Sequence, residues 1–145
     1  MRKVKKYEKD IPKYLTNICQ KFYDNKTTSF VPNHILVNEY DNKTGIMPHT
    51  DGPLYEPLTT VISLGSTVFL EFYDNYKSYK ENKCSGLFLI EPRSLYVFNN
   101  KAYTDMLHCV QDKYADTVFL NLQNENNKAV LISSNVDNIK HTSIY

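Results

Sequence analysis

Apolar positions follow a helical rhythm once, near the start of the chain, and change to strand-like runs afterwards. Across residues 10–23, Ile11, Leu15, Ile18, Cys19 and Phe22 recur three or four positions apart, the period that lines one face of a helix. Asp10 is placed to cap this helix and Pro12 is tolerated in its first turn, while Asp24-Asn25 ends it. From residue 34 onward the apolar positions come in short runs rich in Val, Ile, Leu, Phe, Tyr and Thr. Residues 34–40, 58–64, 67–73, 86–90, 94–98, 117–122 and 129–133 are therefore predicted strands.

The breaks between these runs carry turn chemistry: Asp41-Asn42, Gly45, Gly52-Pro53, Gly65-Ser66, Asp74-Asn75, Glu91-Pro92 and Asn99-Asn100. Many short strands at this spacing predict a mostly β fold, a sandwich or jelly roll, with one N-terminal amphipathic helix. No repeat or linker divides the chain, so residues 1–145 read as a single domain. No apolar run is long enough to cross a bilayer and the first residues lack the apolar stretch of a secretory signal. The expectation is an intracellular protein, nuclear or cytoplasmic, with no membrane partner.

Composition changes this picture little. The apolar fraction of 41% and charged fraction of 23% are those of a globular domain. A net charge of +1 provides no global attraction for nucleic acid. Arg2, Lys3, Lys5, Lys6 and Lys9 make a basic start, which a solvated, frayed terminus explains as well as phosphate contact does. Cys19, Cys84 and Cys109 are odd in number and lack metal-like or redox-like spacing, as expected of three reduced thiols. Lys, Asn and Tyr are abundant, the mark of an A/T-rich coding background, so isolated Asn or Lys residues carry little chemical meaning.

The chemistry concentrates at Pro48-His49-Thr50-Asp51-Gly52. On a strand, positions i and i+2 share a face, so His49 and Asp51 can address one ion. An imidazole and a carboxylate make two thirds of the facial triad of non-haem Fe(II) oxygenases, and His108 is the candidate for the third ligand. Three protein ligands on one face of an octahedron leave three positions for a chelating keto acid and O2. An H-x-D triplet also arises easily by chance, and a lone histidine is more often surface or satisfied core.

The surrounding sequence makes the triplet specific. Asn38-x-Tyr40, Gly45–Tyr55 read as GIMPHTDGPLY, and Ile62–Ser66 read as ISLGS follow one another in order. Pro92-Arg93-Ser94-Leu95, Ala102-Tyr103-Thr104 and Leu107-His108 continue the series. This pattern resembles the AlkB-like Fe(II)- and 2-oxoglutarate-dependent dioxygenases, in particular the AlkB homologue six branch. The resemblance implies a double-stranded β-helix, the jelly-roll form of the sandwich. It places His49, Asp51 and His108 on the iron ligands and Asn38 and Tyr40 on contacts to 2-oxoglutarate. It implies Fe(II), 2-oxoglutarate and O2 as cofactor and cosubstrates, and oxidative demethylation or hydroxylation as the reaction.

The resemblance also has edges. The family closes its sheet with a strand patterned R-x-S/N-L-T-x-R, whose arginines hold 2-oxoglutarate. Here the end reads IKHTSIY, with His141 and Ser143 in one register or Lys140 in the other, and no Arg follows Arg93. Neither Lys nor His supplies the planar two-pronged grip of Arg on a carboxylate. The expectation is a partial domain, cut short at both ends and prone to aggregate through an exposed sheet edge. Any nucleic-acid substrate would be single-stranded or flipped, with Tyr55, Tyr73 and Tyr103 as stacking surfaces or, alternatively, packing residues. The competing function is a degenerate module that binds metal or a partner without turnover, followed by a cupin-like barrel in which H-x-D is incidental.

Overall fold

The computed structural model describes residues 2–41, 44–110 and 139–143, the last as backbone. The chain forms two compact units, Met1–Asp41 and Asn42–Tyr145.

In the first unit, β1 (Lys3–Tyr7) pairs antiparallel with β2 (Ile35–Glu39), and α1 (Lys13–Asp24) lies between them in sequence. The basic start is thus a strand rather than a frayed end. Its lysines are exposed, Lys3 reaches Glu39 across the ribbon and Lys5 sits over the Tyr7 ring. Alternating Lys with Val and Tyr hid a period-2 pattern under charge. The helix starts later than expected and Asp10 does not cap it. Pro12 holds the cap position in an extended conformation and no side chain caps the end, while Asp10 has φ 53°. Proline's fixed φ and missing N–H suit this boundary, and its carbonyl accepts from Leu15 and Thr16.

The second unit is mostly β. A four-stranded sheet has the order β3-β8-β5-β6, built from β3 (Ile46–His49), β5 (Val68–Tyr73), β6 (Gly86–Ile90) and β8 (Leu107–Val110). A three-stranded sheet has the order β4-β7-β9, from β4 (Leu58–Ile62), β7 (Ser94–Asn99) and β9 (Ile139–Ser143). All pairings are antiparallel. Two short helices, α2 (Tyr76–Lys80) and α3 (Asn100–Thr104), were not expected, because five residues are too few to show a helical period. The predicted strands at 117–122 and 129–133 lie outside the described residues.

Residues of both sheets share one core, so the architecture is the expected jelly roll. Leu70, Phe72 and Ile90 meet Tyr96, Phe98, Ala102, Tyr103 and Met106 there. Phe72 is set edge-on between Phe88 and Phe98 at 5.6 Å from each ring centre, a favoured aromatic geometry. The antiparallel register sets which residues enter this core. Phe72 and Leu70 stand opposite His108 and Val110, whereas Glu71 and Tyr73 stand opposite Cys109 and Leu107 on the other face. The terminal segment forms β9, with Ser94↔Ser143, Tyr96↔His141 and Val97↔Lys140 as partners.

Candidate metal centre

Each of the three candidate ligands reaches the site by a different local device. His49 is the last residue of β3 and His108 stands opposite it on β8. Their rings lie 4.4 Å apart. Asp51 lies two residues past the end of β3, in a stretch without ladder pairing. Asp51 is thus outside the paired ladder, and its carboxylate nevertheless falls beside both imidazoles. Gly52 follows at φ +83°, a region closed to most side chains, and the Tyr103 hydroxyl donates to the Gly52 carbonyl at 2.8 Å.

The ligand atoms of His49, Asp51 and His108 all lie within 4.8 Å of one another, the single such cluster among the described residues. Asp51 Oδ1 is 3.8 Å from His49 Nε2 and 3.7 Å from His108 Nε2. Two metal–ligand bonds of about 2.1 Å together reach about 4.2 Å, so one ion spans either edge. The second oxygen of Asp51 accepts from Thr59 Oγ1 at 3.0 Å, which leaves Oδ1 facing the imidazoles. Nδ1 of His49 lies 2.8 Å from the Met47 carbonyl. A carbonyl can only accept, so Nδ1 carries the proton and Nε2 presents its lone pair.

The surroundings differ sharply between the ligands. His108 is 9% exposed at its side chain, against 35% for His49 and 29% for Asp51, so the open side of the cluster is theirs. Phe98 and Phe72 wall His108 in, with ring centres at 5.0 and 5.7 Å. Burial lowers its pKa to about 4, with His49 pushing the same way and Asp51 opposing. The ring is therefore neutral near pH 7, as a metal ligand must be. Its Nδ1 is buried with no hydrogen-bond partner among the described residues. The donor set of two neutral imidazoles and one carboxylate suits Fe(II).

The remaining expected site residues are placed as follows. Asn38 is on β2 of the first unit, opposite Val4, and its Oδ1 is buried with no partner among the described residues. Tyr40 comes just after β2. Burial pushes its phenol pKa up, against the pull of the Arg2 guanidinium. Lys140, His141 and Ser143 lie on β9, and their side chains are outside the described part. Of the stacking candidates, Tyr73 and Tyr103 are core residues, while Tyr55 is 45% exposed. The sequence reading missed Thr59, since one threonine in a β-rich run carries no signal beyond strand propensity.

Comparison with known proteins places the chain in a family. The family profile described as the 2OG-Fe(II) oxygenase superfamily matches residues 2–133. The chain belongs to that superfamily. Within it the chain is AlkB-like: it is 36% identical over 93 residues to the "Probable RNA/DNA demethylase ALKBH6" of Danio rerio, covering 59% of this chain and 40% of that protein. It is 32% identical over 109 residues to an uncharacterized protein of Acanthamoeba polyphaga mimivirus, covering 74% of this chain and 50% of that one. The chain thus spans half or less of the length of these relatives. No helix among the described residues is long and apolar enough to cross a membrane.

Proposed function

We propose that the protein is an Fe(II)- and 2-oxoglutarate-dependent oxygenase that carries out oxidative demethylation or hydroxylation. His49, Asp51 and His108 are its metal ligands. The observation that carries this reading is the convergence of both Nε2 atoms on one oxygen of Asp51. When bound, Fe(II) supplies O2 activation at the expense of 2-oxoglutarate, which leaves as succinate and CO2. The chain's own residues hold and shield the site. Thr59 and the Met47 carbonyl orient two ligands, and Phe72 and Phe98 exclude water behind the third.

Asn38 and Tyr40 are the proposed contacts to 2-oxoglutarate. A phenol with a raised pKa stays protonated and can donate to a carboxylate, as can an amide. Lys140, His141 and Ser143 are the proposed contacts from the closing strand, a lysine there acting as a point charge. Residues 1–145 work as one oxygenase domain in this reading. The substrate is nucleic acid, single-stranded or flipped so that the base reaches the ion. The name of the Danio rerio relative and the exposed Tyr55 support that choice. The setting is intracellular, nuclear or cytoplasmic.

Anaerobic titration with Fe(II) and then 2-oxoglutarate tests the reading. A visible charge-transfer band that disappears in His49→Ala is expected. A specific feature favours a second reading, a module that binds metal without turnover: β9, Ile139–Ser143, contains no arginine. Stoichiometric metal without the band would select that reading, and no stoichiometric metal would refute both.

A further inference from the structure

The sheet that presents His108 on one face buries an acid on the other. Glu71 is 6% exposed, and Tyr73 and Cys109 are each 1% exposed. The Tyr73 hydroxyl donates to Glu71 Oε2 at 2.5 Å and Cys109 Sγ lies 3.8 Å from the same oxygen. Tyr79 of α2 packs edge-on against Tyr73 at 5.3 Å. A buried carboxylate is costly unless hydrogen-bonded, and apolar residues would fill this space without that cost. Nothing in the proposed reaction uses these groups.

The register shows what they do. On its β3 side, β8 is matched only at Ile46↔Val110 and His49↔His108, with a register shift between the two. On its β5 side the ladder is continuous over four pairs, from Leu70↔Val110 to Tyr73↔Leu107. The placement of His108 therefore rests on β5. A slip of one residue in either direction would turn His108 away from the core face and bring Cys109 or Leu107 into its place. The same slip would take the thiol off Glu71 and set His108 or Val110 opposite it.

We propose that Glu71, bonded by Tyr73 of its own strand and facing Cys109 directly across the ladder, is a positioning residue that holds β8 in register and so presents His108 to the metal. This rests on the metal reading above. Its role is specificity of register, a use for which a buried polar group suits better than an interchangeable apolar one.

Titration of the full chain with Co(II), read by its visible d–d bands and paired with thermal melts of the metal-free protein, tests this. Replacing both groups of the Tyr73–Glu71 bond by apolar ones, E71L/Y73F, removes that bond as a pair and should leave a cooperative melt. That variant should bind Co(II) about tenfold more weakly or worse, with shifted bands. Glu71→Gln still accepts from Tyr73 and should restore binding close to wild type. Where E71L/Y73F does not melt cooperatively, Cys109→Ala takes its place with the same weakened, shifted spectrum expected. Wild-type affinity and bands in the variant used, or a Glu71→Gln as defective as the double change, overturn the proposal. Failure of the wild-type chain itself to bind Co(II) overturns the metal reading and this inference with it, and is told apart by that control.

Discussion

Thr59 Oγ1 donates to Asp51 Oδ2 at 3.0 Å, while Asp51 Oδ1 faces the Nε2 atoms of both histidines. The two oxygens of one carboxylate are thus divided between a strand of the opposite sheet and the ion site. Thr59 is the second residue of β4, held opposite Phe98 of β7, so the orientation of Asp51 is tied to the second sheet as well as to its own segment.

Thr59→Val keeps the β-branched shape and removes the hydroxyl. Metal affinity should fall by about 10- to 100-fold, the usual effect of losing an outer partner of a ligand. The metal-free melting temperature should change little. Calorimetric titration with Co(II) beside a melt checks both, and an unchanged affinity would show that the segment after β3 alone aims Asp51.

His49→Ala and His108→Ala should both abolish the stabilisation conferred by metal, about 2.7 kcal/mol for wild type at a hundredfold excess over Kd. They should differ without metal. His49 is one-third exposed and its loss should barely move the melt, whereas loss of the walled-in His108 leaves a void beside Phe72 and Phe98. Melts with and without Co(II) separate the two effects, and equal metal-free stabilities would contradict the burial asymmetry.

Tyr73 ties alkaline stability to the back face of the sheet. Burial foremost, then its bond to Glu71, raises its pKa far above the ordinary value of 10.0. The folded protein thus keeps this proton where the unfolded chain loses it. The stabilisation is fully present below pH 10 and declines as pH rises above it. Urea midpoints of wild type and Tyr73→Phe should therefore converge between pH 8 and pH 11. A gap that stays constant with pH would mean that Tyr73 titrates normally.

Phe98→Ala should cost about 3–5 kcal/mol, because the ring is 1% exposed and sits between Phe72, Tyr96, Tyr103 and His108. Chemical denaturation measures the loss. Metal affinity should fall with it, since the same ring bounds His108.

The β-rich class was legible because strands announce themselves by β-branched and aromatic runs between turn residues, and β6 fell on its predicted residues. The short helices and the charged strand β1 were not, since five residues carry no helical period and lysines mask alternation. At the site, motif order along the chain is enough to single out His49, Asp51 and His108. Their convergence follows from different physics. Asp51 arrives on the segment after β3, pinned by Tyr103 and Thr59, and His108 arrives by a strand register. Local residue types and their order along the chain settle which groups are available and which segments extend. Pairing between residues far apart in the chain, such as Phe72 with His108, settles which face each side chain takes, and that depends on long-range contacts no local pattern encodes.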